Sequence, residues 1–322
     1  RIRELISQRR ARREQSVTGS GHTLAMSAAS SGMCPVAALG HRFNGLEGIR
    51  ILKQIDDANK SGGIAELTDK FSDIHQSIVS APRQFMIIGE EEKKEILDVL
   101  KRKVLFRYEF HDQREGIYKV EQFEREFADY CGVKHALAVS SGTAALRVAL
   151  AALGIAPGDE VITQGFTFVA TWEAILDAGA IPVFAEIDDT LCLDPGDLSN
   201  KISPRTKAIM PVHMCGAHAR ISEIVEVAGK HRIPVIEDTA QSCGGKLKGK
   251  SLGSFGTMGT FSFDSVKTMT TGEGGMVITD DNDLYINASE YHDHGHDHDP
   301  DVGRGLEKRR FIGFNYRMME LQ

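Results

Sequence analysis

The chain has 322 residues, 41% of them hydrophobic and 26% charged, with only 9 Pro. This excludes a disordered or collagenous protein and leaves enough apolar side chains for one large core or two modest ones. The net charge of −7 divides unevenly: residues 1–14 hold six Arg against Glu4 and Glu14, a local +4 that leaves −11 for the remainder, which speaks against nucleic acid as a partner. The most membrane-like stretch, 136–156, carries Arg147 in its interior, so no transmembrane helix and no membrane partner are expected.

Five cysteines without a C-x-x-C pair point to reduced thiols and a cytoplasmic protein, with no disulfide framework and no structural zinc. The Arg-rich start, followed by Ser, Thr, Gly and Ala to about residue 32, suits a solvated tail or the end of an upstream helix better than a transit peptide. An opening Arg in place of Met suggests a fragment or processed product.

Residues 43–80 have helical periodicity, interrupted by Ser61-Gly62-Gly63 and closed by Ala81-Pro82, and carry no recognisable chemistry. Residues 1–84 are therefore expected to be a helical extension of unknown role. A charged helix is expected over 90–103, then an aromatic stretch from Phe106 to Phe110, then an amphipathic helix marked by Val120, Phe123, Phe127 and Tyr130. Beyond it, short apolar runs over 135–139, 160–163, 181–185, 207–212 and 233–237 alternate with helical segments over 143–153, 172–178 and 221–231. That recurrence is what βαβ units require, so the expected fold is α/β with a mainly parallel sheet. Two further strands, 257–263 and 275–279, are separated only by the loop that holds Lys267.

In open α/β sheets ligands gather at the carboxyl ends of the strands, and three such ends carry suggestive residues. Ser140-Ser141-Gly142-Thr143 opens a helix and presents amides, hydroxyls and a positive dipole end to an anion such as a phosphate, although the same residues suit a plain N-cap. Asp238, at the end of a strand, could cap the next helix or hold a protonated ring nitrogen. Lys267 is the only Lys or Arg between Ser251 and Gly303; it is either a solvated loop residue or an amine whose desolvation makes it a usable nucleophile. No G-x-G-x-x-G or Walker motif is present. An anion cradle, a strand-end acid and an isolated lysine are together what a pyridoxal phosphate enzyme needs.

Seven motifs carry a family resemblance: Ser140 to Leu146, Phe166 to Thr171, Thr206 to His213, Glu237 to Gln241, Phe261 to Lys267, Gly272 to Gly275 and Gly313 to Arg317. From about residue 85 onward the chain resembles the DegT/DnrJ/EryC1/StrS sugar aminotransferases. The resemblance implies a three-layer αβα, fold-type-I, aspartate aminotransferase-like large domain over 85–322, with the small C-terminal domain of the family cut off. It implies pyridoxal 5′-phosphate as cofactor and catalytic roles for Lys267, as Schiff-base amine and proton carrier, and for Asp238, on the pyridine nitrogen. Gly142, Thr143 and Ser262 would hold the phosphate, Phe168 the ring face and Gln241 the ring oxygen. Asn315 would reach the phosphate of a neighbouring subunit in a homodimer.

A narrower similarity, in Phe106 to Phe110, His213 to Gly216, Phe263 to Lys267, His292 to His298 and Gly303 to Gly305, is to the branch that aminates 8-oxo-3-deoxy-D-manno-octulosonate with glutamate for lipopolysaccharide sugars. It makes Arg107, Tyr108, His294 and Arg304 candidates for substrate contact, the arginines for a carboxylate. The alternatives are a UDP- or dTDP-linked keto-sugar as substrate, or a non-catalytic regulatory or interaction protein on the same fold. The His292 to His298 run, read as strand-like with alternate residues on one face, is not expected to bind metal.

Overall fold

The computed structural model describes residues 89–299 and 301–322; the expected extension over 1–84 lies outside them. Helix α1 (Glu90–Arg102) has Glu90, Glu91 and Glu92 in its first turn and Lys101 and Arg102 in its last, both matched to the helix dipole. The amphipathic helix α3 (Lys119–Cys131) buries Val120, Phe127, Ala128 and Tyr130 and stops at Gly132, whose left-handed φ of 73° lets its amide close on the Ala128 carbonyl. Between them lies a one-turn helix that periodicity does not show, α2 (His111–Arg114), entered through Glu109 and Phe110 at φ 61° and 59°.

The sheet strands are β1 (His135–Val139), β2 (Glu160–Gln164), β3 (Ile181–Ala185), β4 (Thr206–Met210), β5 (Ile236–Asp238), β8 (Met258–Ser262) and β9 (Gly275–Thr279). A small hairpin of β6 (Lys246–Leu247) and β7 (Lys250–Ser251) precedes β8. Strands β3-β2-β4 and β5-β8-β9-β1 are joined where Ile209 pairs with Val235 and Val212 with Asp238. In this joined sheet β9 runs opposite to the other six strands. The exposed edge strand β3 accommodates Pro182, as only an edge readily does.

Alternation along the strands separates two faces. Leu137, Val139, Val161, Ala208, Met210 and Val277 pack with α4 (Gly142–Ala152), α5 (Ala170–Asp177) and α8 (Asn282–Tyr291). On the other face, Ala136, Ala138, Met276 and Ile278 meet α3. Ile162 and Ile209 share that face with α7 (Ile221–His231) and with α6 (Pro195–Lys201), through Leu198. The result is the expected three-layer αβα arrangement, with the carboxyl ends of β1, β5 and β8 on one rim. Cys131, Cys192, Cys215 and Cys243 are buried thiols, and among the described residues no helix is long and apolar enough to cross a membrane.

Candidate active site

Asp238 is the last residue of β5 and is 4% exposed. Its Oδ1 accepts the Ala240 amide at 3.1 Å and its Oδ2 accepts the Thr171 hydroxyl at 2.9 Å. Burial pushes its pKa up, and the Ala240 amide, Thr171, Lys267 and His213 pull against that rise. Lys267 is 8% exposed in the loop between β8 and β9, its amide closing a turn on the Asp264 carbonyl at 2.9 Å. Burial lowers its pKa, opposed by Asp238 and then Asp264. Two strand ends thus bring an amine and a carboxylate within electrostatic reach of each other, each more easily neutralised than in water.

The anion cradle adjoins Ser262. Ser141 is the N-cap of α4, accepting the Ala144 amide on Oγ at 3.0 Å and the Ala145 amide on its carbonyl. Of the amides a helix start leaves over, those of Gly142 and Thr143 remain at the tip. The cap therefore leaves these two amides available to an anion. A Cβ on Gly142 would lie 2.6 Å from the Cβ of Ser262, and one on Gly275 would lie 2.2 Å from the Ser141 carbonyl oxygen, so β8 and β9 back directly onto the tip. Backbone amides, a hydroxyl, a buried amine and a buried acid are the donor set that a phosphorylated pyridine aldehyde requires.

Gln241 is buried, its Oε1 accepting the Cys215 amide at 2.9 Å, which leaves its amide nitrogen as the donating end. Glu237, beside Asp238, is fully buried: Oε1 accepts the Phe255 and Gly256 amides at 2.6 Å each, and Oε2 accepts the Gly253 amide at 2.9 Å and His213 Nε2 at 2.8 Å. The Ala219 amide donates to His213 Nδ1, which assigns the proton to Nε2. Phe168, between β2 and α5, is partly buried and packs against the core cluster. Asn315 is exposed, paired with Asp293 through the backbone, and accepts the Arg317 amide at 3.4 Å. Thr171 closes one of the motifs named above, but nothing in local sequence marks its bond to Asp238.

The remaining candidates have internal partners. Arg107 is buried against Glu124 at 2.5 Å, and Arg304 makes a two-pronged pair with buried Asp293 at 2.6 and 2.7 Å. Both guanidiniums expected to meet a substrate carboxylate are thereby committed to carboxylates of the chain. Tyr108 donates to His292 Nε2 at 3.0 Å and packs on His298 at 4.3 Å between ring centroids; burial raises its pKa. His294 is exposed. The run 292–298 is not strand-like: His294, Gly295 and His298 have φ of 57°, 81° and 57°; His292 and His298 both pack on Tyr108, while His296 pairs with Glu307 and His298 with Asp293. Among the described residues no three His, Cys, Asp or Glu side chains are grouped to hold a metal ion.

Strand order, layering and a lysine and aspartate at neighbouring strand ends define the fold-type-I class of pyridoxal-phosphate-dependent transferases. Residues 87–322 match the DegT/DnrJ/EryC1/StrS aminotransferase family, and the chain belongs to it. A second match, to a peptidase-associated region, covers residues 1–55, outside the described structure. The GDP-perosamine synthase of Caulobacter vibrioides is 45% identical over 209 residues, 63% of this chain and 54% of that protein. The UDP-N-acetyl-3-dehydro-alpha-D-glucosamine 3-aminotransferase of Acidithiobacillus ferrooxidans is 42% identical over 205 residues, 62% of this chain and 53% of that protein. Among solved structures, NtdA of Bacillus subtilis with its bound cofactor PMP superposes with a TM-score of 0.64 at 32% identity, covering 73% of this chain and 52% of that one. The chain spans about half the length of the curated relatives it matches.

Proposed function

We propose that this chain forms the cofactor-holding part of an aminotransferase that passes an amino group from an amino acid to a keto sugar carried on a nucleotide. The observation that carries the reading is the buried Lys267 and Asp238 pair at two strand ends beside the Gly142 and Ser262 cradle. Pyridoxal 5′-phosphate, when bound, supplies an electrophilic carbonyl and a sink for the electrons of a broken C–H bond. Lys267 Nζ would hold it covalently and would carry the proton as base; Asp238 would hold a proton at the ring nitrogen. The Gly142 and Thr143 amides and the Ser262 hydroxyl would hold the phosphate, Phe168 would cover the ring face and Gln241 would donate to the ring oxygen. Asn315, exposed in this chain, would act on the site of a second copy in a homodimer.

A nucleotide-linked substrate is preferred to the octulosonate for two reasons. The relatives named above act on GDP- and UDP-linked sugars by their names, and the arginines that would have met the octulosonate carboxylate are taken by Glu124 and Asp293. The test is twofold. Pyridoxal phosphate added to the protein should give visible absorbance that borohydride fixes onto Lys267, a mass shift absent from Lys267→Ala. Amino transfer from glutamate should then be faster to a GDP- or UDP-linked keto sugar than to the octulosonate 8-aldehyde. No reduced adduct at Lys267 removes the enzyme reading and favours a regulatory protein on this fold; preference for the octulosonate restores the narrower one.

A further inference from the structure

The Thr171 hydroxyl, in the first turn of α5, lies 2.9 Å from Asp238 Oδ2 and 2.9 Å from the Thr167 hydroxyl. Thr171 is 1% exposed. With Asp238 ionised, its oxygens only accept, so the one hydroxyl proton of Thr171 goes to Oδ2 and the Thr167 hydroxyl must donate to Thr171. Asp238 is then gripped from two directions, by the Ala240 amide on Oδ1 and by a two-hydroxyl chain on Oδ2. The chain starts in the loop that also carries Phe168.

We infer that Thr171, oriented by Thr167, is a positioning residue that fixes the plane of the Asp238 carboxylate and keeps it charged toward a cofactor ring nitrogen. The inference rests on the proposed function, since it gives Asp238 that partner. A backbone amide alone would leave the carboxylate free to turn about its Cβ–Cγ bond; a second donor on the other oxygen removes that freedom. The titratable groups facing Asp238 are Lys267, from the loop after β8, and His213, from the segment after β4. The hydroxyl chain adds a neutral donor that favours the charged form without competing for the ring.

The test uses the full chain and pyridoxal 5′-phosphate, with binding followed by visible absorbance across pH. Thr171→Val keeps the volume and removes the donor; it should bind about tenfold more weakly, the loss of a hydrogen bond to a charged group. The acid limb of its binding curve, where Asp238 takes up a proton, should move to higher pH. Thr171→Ser should restore both. Thr167→Val leaves the Asp238 contact in place and should move the limb in the same direction by less; it carries the test if Thr171→Val does not fold. Wild-type protein that binds the cofactor, beside a Thr171→Val with the same affinity and limb, overturns the inference alone, as does Thr171→Ser behaving like Thr171→Val. Wild-type protein that binds no cofactor overturns the proposed function and this inference with it.

Discussion

His292 shows how burial sets a titration in this molecule. Its Nδ1–H donates to the Ser289 carbonyl at 2.5 Å and its Nε2 accepts the Tyr108 hydroxyl at 3.0 Å, an arrangement only the neutral ring can make. Burial pushes its pKa from 6.5 down to about 3, with the Ser289 carbonyl and Asp293 opposing. Because the unfolded ring takes a proton that the folded one refuses, stability contributed by neutral His292 is complete above the unfolded pKa. It is lost as pH falls from about 6.5 toward about 3, at about 1.4 kcal/mol per pH unit. The neighbouring Asp293 does not confuse this window: burial alone would raise its carboxyl, but Arg304 and then Arg317 hold it well below the usual carboxylate range. Urea unfolding at pH 7.5 and pH 4.5 should therefore show wild type losing stability relative to His292→Gln, and equal losses would refute the neutral-ring account.

At the scale of elements, the strands and the residues at their ends were legible because the relevant signals are local. Short apolar runs between helical segments located 135–139 and 181–185, both observed as strands, and the apolar run ending in Glu237-Asp238 already put a carboxylate on the rim. The pairs that connect distant segments were not legible. Arg107 with Glu124, Arg304 with Asp293 and Thr171 with Asp238 depend on tertiary proximity, and a lone arginine reads the same whether it awaits a substrate or a buried acid. Helix α2 escaped because non-glycine residues, Glu109 and Phe110, take the left-handed turn into it. The junction of α4 with β8 makes a sharper prediction. Gly142→Ala places a Cβ 2.6 Å from the Ser262 Cβ, and both atoms belong to backbone-fixed positions, so the helix tip must withdraw. Overpacking of this kind costs about 1–3 kcal/mol. Unfolding should register that loss, and pyridoxal phosphate should bind more weakly than its carbonyl analogue without a phosphate does, relative to wild type; unchanged phosphate discrimination would detach Gly142 from the cradle.

The whole molecule is closed by a charge pair that joins the segment before α3 to the last residues of the chain. Arg114 is 1% exposed and donates to the Phe106, Tyr108 and Glu109 carbonyls, while its other nitrogen pairs with Glu320 at 3.1 Å. Glu320 Oε2 in turn accepts the Lys119 amide at 2.7 Å, and the Glu320 amide donates to the Leu105 carbonyl at 3.0 Å. These bonds hold the aromatic segment, with Tyr108 against His292, although that segment has no regular structure of its own. Glu320→Ala would strand a buried guanidinium and uncap the start of α3, a loss of about 3–5 kcal/mol. Replacing both partners, as Arg114→Met with Glu320→Leu, removes the charge but also leaves the Phe106, Tyr108 and Glu109 carbonyls and the Lys119 amide without their partners, so it should recover little of that stability. Urea midpoints for the three proteins check the order, and hydrogen exchange checks the location: amides of 105–120 should lose protection in Glu320→Ala before those of β1, β8 and β9. A single variant as stable as wild type would show that the pair does not hold the segment, and the register of Tyr108 against the histidine loop would then need another support.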